Sequence, residues 1–207
     1  NKPEVFSMEK STEGMFSSAL KQTMTVQKLC LLGMMTALVF ASNYMRIIMP
    51  IAIGGRTAFT LANIICCLSG LLLGPVGGLA SGLGSALYDL TNPLYASECW
   101  ITFITKGVMG LMAGLVMRSA QDRQDAKYAR CLAGALAGCA GYYVLYFFKS
   151  FAYDGLLVDG LQPMVALAAL PLKIPASLFN AAVAIIAAPP LCAAIRAALR
   201  RAHIKMA

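Results

Sequence analysis

The sequence predicts an all-α fold, an integral membrane bundle of six transmembrane helices. Three observations carry that expectation. The 207 residues are 59% hydrophobic and 13% charged, and a soluble domain of this size has too little interior to hide so much apolar surface. The apolar residues fall into runs close to the ~20 residues that cross a bilayer, enough for six helices with short connections. Most basic residues sit at the ends of those runs. The net charge of +8 therefore reads as a topology signal and not as a nucleic-acid footprint.

Helix 1 is expected from about Leu29 to Met49, stopped by Pro50, with IAIGGRT as a short loop behind it. Helix 2 is expected over 58–73, with Gly74 and Pro75 as a tight turn, and helix 3 over 76–90. The polar loop TNPLYASE leads to helix 4 at 99–117. The hydrophilic segment RSAQDRQDAKYAR precedes helix 5 at 129–151. Helix 6 is expected to start between Pro163 and Pro171, and Pro189-Pro190 should kink it or end its membrane portion. Residues 23–207 thus form one transmembrane domain with a basic tail. Residues 1–22 are a polar segment set apart from it, read in part as an artificial extension with Met8 as a candidate start.

Six helices place both termini on one side. The N-terminal segment holds four Lys, the 4–5 connection holds Arg118, Arg123, Lys127 and Arg130, and the tail holds Arg196, Arg200, Arg201 and Lys205, twelve of 17 basic residues on one face. The positive-inside rule puts that face, with both termini, in the cytoplasm. Loops 1–2, 3–4 and 5–6 then face outward.

Enzyme chemistry finds no support. There is no P-loop, no HExxH and no GxSxG, and the one His, His203, lies in the tail. No metal site or cofactor is expected. The 7 Cys lie almost wholly in apolar runs without a CxxC pair, so they read as small hydrophobes and not as a disulfide framework or zinc site.

The outer half is richer. Arg56, Asn92 and Glu98 fall in or beside outer loops. Asp89, Lys106 and Lys173 are costly at membrane depth and should meet in a polar cavity, or pair with one another as Asp89 with Lys106. Asn63 and Asn180 are amides within apolar helices that need hydrogen-bond partners. Tyr88, Trp100 and Tyr146 belong to an aromatic set that is mostly an interfacial belt, but whose flat faces suit a ring. Tyr142, Tyr146 and Lys149 share one helical face and read as one wall of the site. These twelve candidates (Arg56, Asn63, Tyr88, Asp89, Asn92, Glu98, Trp100, Lys106, Tyr146, Lys149, Lys173, Asn180) form the expected outward-facing site. Their mixed signs favour a compact, polar, aromatic heterocycle, and Ala37 and Ala41 form an AxxxA pair that permits close helix approach.

The AxxxA pair, the passages FTLANIICCLSGLLLGPVGGLASGLGSALYDLTNP and ECWITFITKGVMGLMAGLV, and the start of helix 6 with Pro171, Lys173, Pro175 and Asn180 together resemble the substrate-binding S component of an energy-coupling factor (ECF) vitamin transporter. The likeness covers about residues 26–200 and is nearest the thiamine-precursor and pyridoxine-type branch. It implies a multi-pass protein of a prokaryotic plasma membrane that captures a small vitamin or precursor from outside. It also implies partners: a coupling transmembrane subunit and two cytoplasmic ATPase subunits, with Ala37 and Ala41 on the docking surface. The alternatives are a standalone small-molecule permease or channel, which would move its cargo unaided, and an intramembrane enzyme or scaffold.

Overall fold

The computed structural model describes residues 26–48, 58–93, 95–118, 128–158, 160 and 162–201. Six helices run through them: α1 Val26–Tyr44, α2 Ala62–Leu73, α3 Gly77–Thr91, α4 Cys99–Arg118, α5 Tyr128–Lys149 and α6 Pro163–Arg201. The expected all-α membrane bundle is the fold. Four apolar stretches, Ala62–Thr91, Ala96–Arg118, Tyr128–Tyr153 and Lys173–Leu199, are long enough to cross a membrane.

Two boundaries differ from expectation. α1 ends at Tyr44, not Met49, and α2 begins at Ala62, not Ala58. Between them Arg46–Ile48 (β1) and Ala58–Thr60 (β2) pair antiparallel, with Ile47 opposite Phe59. Short apolar runs rich in β-branched and aromatic residues are ambiguous between helix and strand, and here tertiary pairing decides for strand.

The stretch Ala62–Thr91 is a hairpin and not one long span. Gly74 closes α2 at φ 69, a conformation that a side chain disfavours, and Pro75 opens the turn Gly74–Val76. The two arms face each other through Ser69 and Ser81, whose hydroxyls lie 2.6 Å apart. Ser81 also donates to Cys66 O at 3.1 Å and Ser69 to Gly77 O at 2.9 Å. Both serines are fully buried, so these bonds replace the water they have lost.

Small residues set the remaining seams. A Cβ on Gly78 would lie 2.8 Å from Gly107 O, and one on Gly82 would lie 2.7 Å from Phe103 O, so α3 and α4 touch backbone to backbone. Gly138 brings α5 equally close to Met109 O on α4, and Gly84 brings α3 close to Thr36 O on α1. The core between them holds Val39, Leu71, Met109, Ala113, Ala184 and Ala188.

α1 presents two unlike faces. Met35, Val39, Ser42 and Asn43 are buried against the bundle. Met34, Ala37, Leu38 and Ala41 point outward, and a side chain added at Gly33 would meet nothing within 4 Å. α6 runs unbroken for 39 residues through Pro171, Pro175, Pro189 and Pro190. Pro189-Pro190 was expected to kink the helix or end its membrane portion, and the helix continues past the pair. The apolar stretch reaches Leu199, and Pro189 is itself fully buried among the core side chains, a packing gain that offsets the missing backbone donors.

Candidate functional site

The polar candidates gather where α2 and α4 begin and α5 nears its end. Lys106 lies seven residues into α4, about 10 Å along its axis. It is only 8% exposed. Its ammonium donates to Asn63 Oδ1 on α2 and sits 4.4 Å from the centre of the Tyr142 ring on α5. Asn63, 3% exposed, donates in turn to the Tyr143 hydroxyl at 3.4 Å. Both partners of Lys106 are neutral. An ammonium taken out of water and given an amide oxygen and a ring face keeps part of its desolvation cost.

The aromatic wall is continuous. Tyr142 stacks on Tyr146 at 5.8 Å, Tyr143 meets Tyr142 edge to face at 4.9 Å, and Tyr146 meets Phe147 at 5.7 Å. Residues three and four apart on α5 supply this surface, which follows from helical spacing. From the other side Asn180 on α6 accepts from the Thr60 backbone N–H at 3.4 Å. The short ribbon therefore ties α6 to the start of α2. Asn63, Lys106, Tyr142, Tyr146 and Asn180 thus come from four helices into one neighbourhood.

Nearer the helix ends, Lys149 pairs with Glu98 at 2.5 Å, joining the end of α5 to the turn before α4. Both are partly exposed, so this pair stabilises weakly and acts mainly as a positional link. Lys173 on α6 donates to Ser150 at 2.5 Å. Ser150 opens a wide π-type turn, Ser150–Val158, that follows α5, a geometry frequent at functional sites.

The other candidates are placed as follows. Lys106 donates to Asn63 and Lys173 donates to Ser150. Tyr88 is buried and meets Tyr44 edge to face at 4.9 Å, and Asp89 is buried beside it at the end of α3. Asn92 caps that helix, its N–H donating to Asp89 O at 3.1 Å. Trp100 is 57% exposed and lies edge-on to Tyr153 at 6.3 Å. Arg56 lies outside the described residues. Sequence reasoning did not single out Tyr143, Ser150 or Thr60. The amide at Asn63, which needs a partner across the bundle, is the one sequence signal that points towards Tyr143. Among the described residues no cluster of His, Cys, Asp or Glu could hold a metal.

A deep cation and amide beside a wall of tyrosines, near one end of an apolar bundle, can hold a flat ring with polar edges. It offers no nucleophile–base pair for catalysis. Comparison with known families agrees. Residues 23–197 match the family model described as ECF-type riboflavin transporter, S component. No curated protein matches the chain. The matched span takes in all six helices up to the last turns of α6, and members of this family are substrate-binding subunits of membrane transporters, not enzymes. The chain belongs to the family of ECF-type riboflavin transporter S components, a multi-pass protein of the prokaryotic membrane.

Proposed function

We propose that this S component captures a flat heterocyclic vitamin from the outer face and delivers it through a module of one coupling transmembrane subunit and two cytoplasmic ATPases. The observation that carries the reading is the buried Lys106–Asn63 pair set against the Tyr142–Tyr146 stack. The ammonium and amide present donors to ring carbonyls or ring nitrogens, and the tyrosines offer area for stacking. The matched family is described by riboflavin, and a flavin ring has both features. A pyridine or pyrimidine vitamin precursor is smaller but meets the same donors. We assign the remaining described candidates, Tyr88, Asp89, Asn92, Glu98, Trp100, Lys149, Lys173 and Asn180, to the rim and far wall of that site, and Arg56 stays a candidate by its sequence position alone.

Titration of the purified protein with riboflavin, thiamine and pyridoxine, read by calorimetry, tests the ligand. We expect submicromolar binding of riboflavin, at least 100-fold tighter than the other two. Tighter binding of thiamine or pyridoxine moves the assignment to that branch. No binding of any of the three overturns it.

The proposed orientation has both termini in the cytoplasm, because twelve of 17 basic residues lie on that face. A cysteine introduced at position 124 should resist a membrane-impermeant maleimide in intact cells and react once the cells are opened. Labelling in intact cells inverts the topology.

A further inference from the structure

The amide of Asn63 lies between two side chains of unequal hydrogen-bonding ability, and that inequality sets a direction. On one side is Lys106, whose ammonium carries donors and no acceptor. It can only donate to the amide, so Asn63 Oδ1 must face it. The amide nitrogen is thereby turned across the α2–α5 seam, where it donates to the Tyr143 hydroxyl at 3.4 Å. The opposite amide orientation would set an NH2 group against the ammonium. Both side chains are buried, so that arrangement would leave two donors without an acceptor and without water.

A phenolic hydroxyl has one hydrogen to give and lone pairs that receive. At Tyr143 a lone pair takes the Asn63 N–H, and the hydrogen finds no acceptor among the described residues. The contacts of its ring are with the rings of Tyr142, Tyr146 and Phe147. Cys67 lies four residues beyond Asn63 on α2, and Cys139 four residues before Tyr143 on α5. That spacing places the thiol pair one turn deeper on the same seam, buried and with sulfurs 3.9 Å apart. The thiols engage each other, so the hydrogen-bond chain does not continue inward through them.

We infer that Tyr143 determines ligand specificity: its hydroxyl, held as an acceptor by Asn63, donates its hydrogen to a ring carbonyl or unprotonated ring nitrogen of the captured heterocycle. The inference rests on the reading of this site as a vitamin site. Polarity then runs one way, from Lys106 through Asn63 and Tyr143 to the ligand. Each bond in such a chain polarises the next, so an ammonium at its head makes the terminal O–H a stronger donor than an isolated phenol. A ring that presents an N–H at this point meets a hydroxyl that cannot turn, because the amide has already taken its accepting side. Such a ring is rejected, since two donors would be left facing each other. A ring that presents a C–H there only forfeits the bond.

Asn63→Asp reverses the chain at almost constant volume. A carboxylate accepts from both neighbours, so Lys106 pairs with it as an ion and Tyr143 donates to it. The phenolic hydrogen is then spent inside the protein and is lost to the ligand. If Tyr143 serves only as packing, its hydroxyl contributes nothing to binding in either background. If it donates to the ligand, its contribution depends on what stands at position 63.

The test compares riboflavin affinity by calorimetry in the parent, Tyr143→Phe, Asn63→Asp and the double variant, each full-length and each shown by melting without ligand to be folded. We expect Tyr143→Phe to weaken binding about tenfold in the parent background and less than about twofold in the Asn63→Asp background. A loss below about twofold in the parent background, or the same loss in both, overturns the inference. A second measurement needs no ligand. The infrared C–O stretch of a tyrosine differs between an accepting and a donating hydroxyl, and subtracting the spectrum of Tyr143→Phe isolates this residue. Asn63→Asp should move that band from the accepting to the donating position, and an unmoved band overturns the inference whatever the cargo is. If the band moves as expected but the parent does not bind riboflavin, the flavin assignment falls and the polarity of Tyr143 stands.

Discussion

Lys106→Met should abolish high-affinity ligand binding and leave the ligand-free protein at least as stable as the parent. The ammonium is buried, and its partners are the Asn63 amide oxygen and the Tyr142 ring. A bound heterocycle that accepts a charge-assisted hydrogen bond supplies what those neutral partners lack. Such a bond contributes about 1.5–3 kcal/mol, and losing it together with the local charge lowers affinity by about 100-fold or more. Stability should move the other way. Methionine keeps much of the stem of lysine and removes a desolvated charge, an exchange that is often neutral or stabilising in an apolar interior. Lys106→Ala is a poorer test, because it opens a cavity in addition to removing the donor to Asn63, a loss that both variants share. Calorimetric affinity and a melting curve without ligand, on the same preparation, separate the outcomes. If Lys106→Met binds within about threefold of the parent, the site lies elsewhere. A melting temperature several degrees below the parent would mean that Lys106 holds the bundle together and does not serve the ligand.

The fold was largely legible because its signals are one-dimensional. Apolar runs, the Gly74-Pro75 turn and the small-residue spacing at Gly78 and Gly82 each imply local structure without knowledge of the neighbours. Where the reading slipped, partners far away in sequence decided the outcome. Nothing in RII or AFT says that they pair with each other to form a ribbon. Nothing in the doublet Pro189-Pro190 says that Pro189 is fully buried while the helix runs on through both prolines.

The candidate site was legible as residue types and not as contacts. Lys106 and Asn63 stand out in apolar helices, so both attract attention. That each meets the other, 43 positions apart, is a property of helix register that one sequence does not encode visibly. The π-type turn after α5 brings Ser150 to Lys173, a contact between positions 23 apart that the sequence does not display. The cysteines show the same limit, since no local spacing pairs position 67 with 139.

Ala41→Trp should stop uptake in cells while ligand binding by the purified protein stays within about twofold of the parent. The argument starts from what α1 does with its faces. Helix packing within the chain is carried by Met35, Val39, Ser42 and Asn43, and Asn43 reaches Ser85 on α3 at 3.5 Å. Ala37 and Ala41 lie on the opposite face, with Gly33 in line one turn before, and none of the described residues covers them. Lipid alone accepts any apolar side chain there, so three small residues at four-residue spacing need another reason. Close approach of a helix from outside the chain supplies it, and the coupling subunit of the importer is the partner we assign. Tryptophan at position 41 would hold that helix several ångströms away, enough to remove most of the contact. It would touch neither Lys106 nor the tyrosine wall, so capture should persist while delivery fails. Co-purification with the coupling module should fall in parallel with uptake, and Ala41→Gly should behave as the parent in both measurements. Equal loss of binding and uptake in Ala41→Trp would show that this face supports the bundle itself. Full uptake would show that the partner docks on another surface.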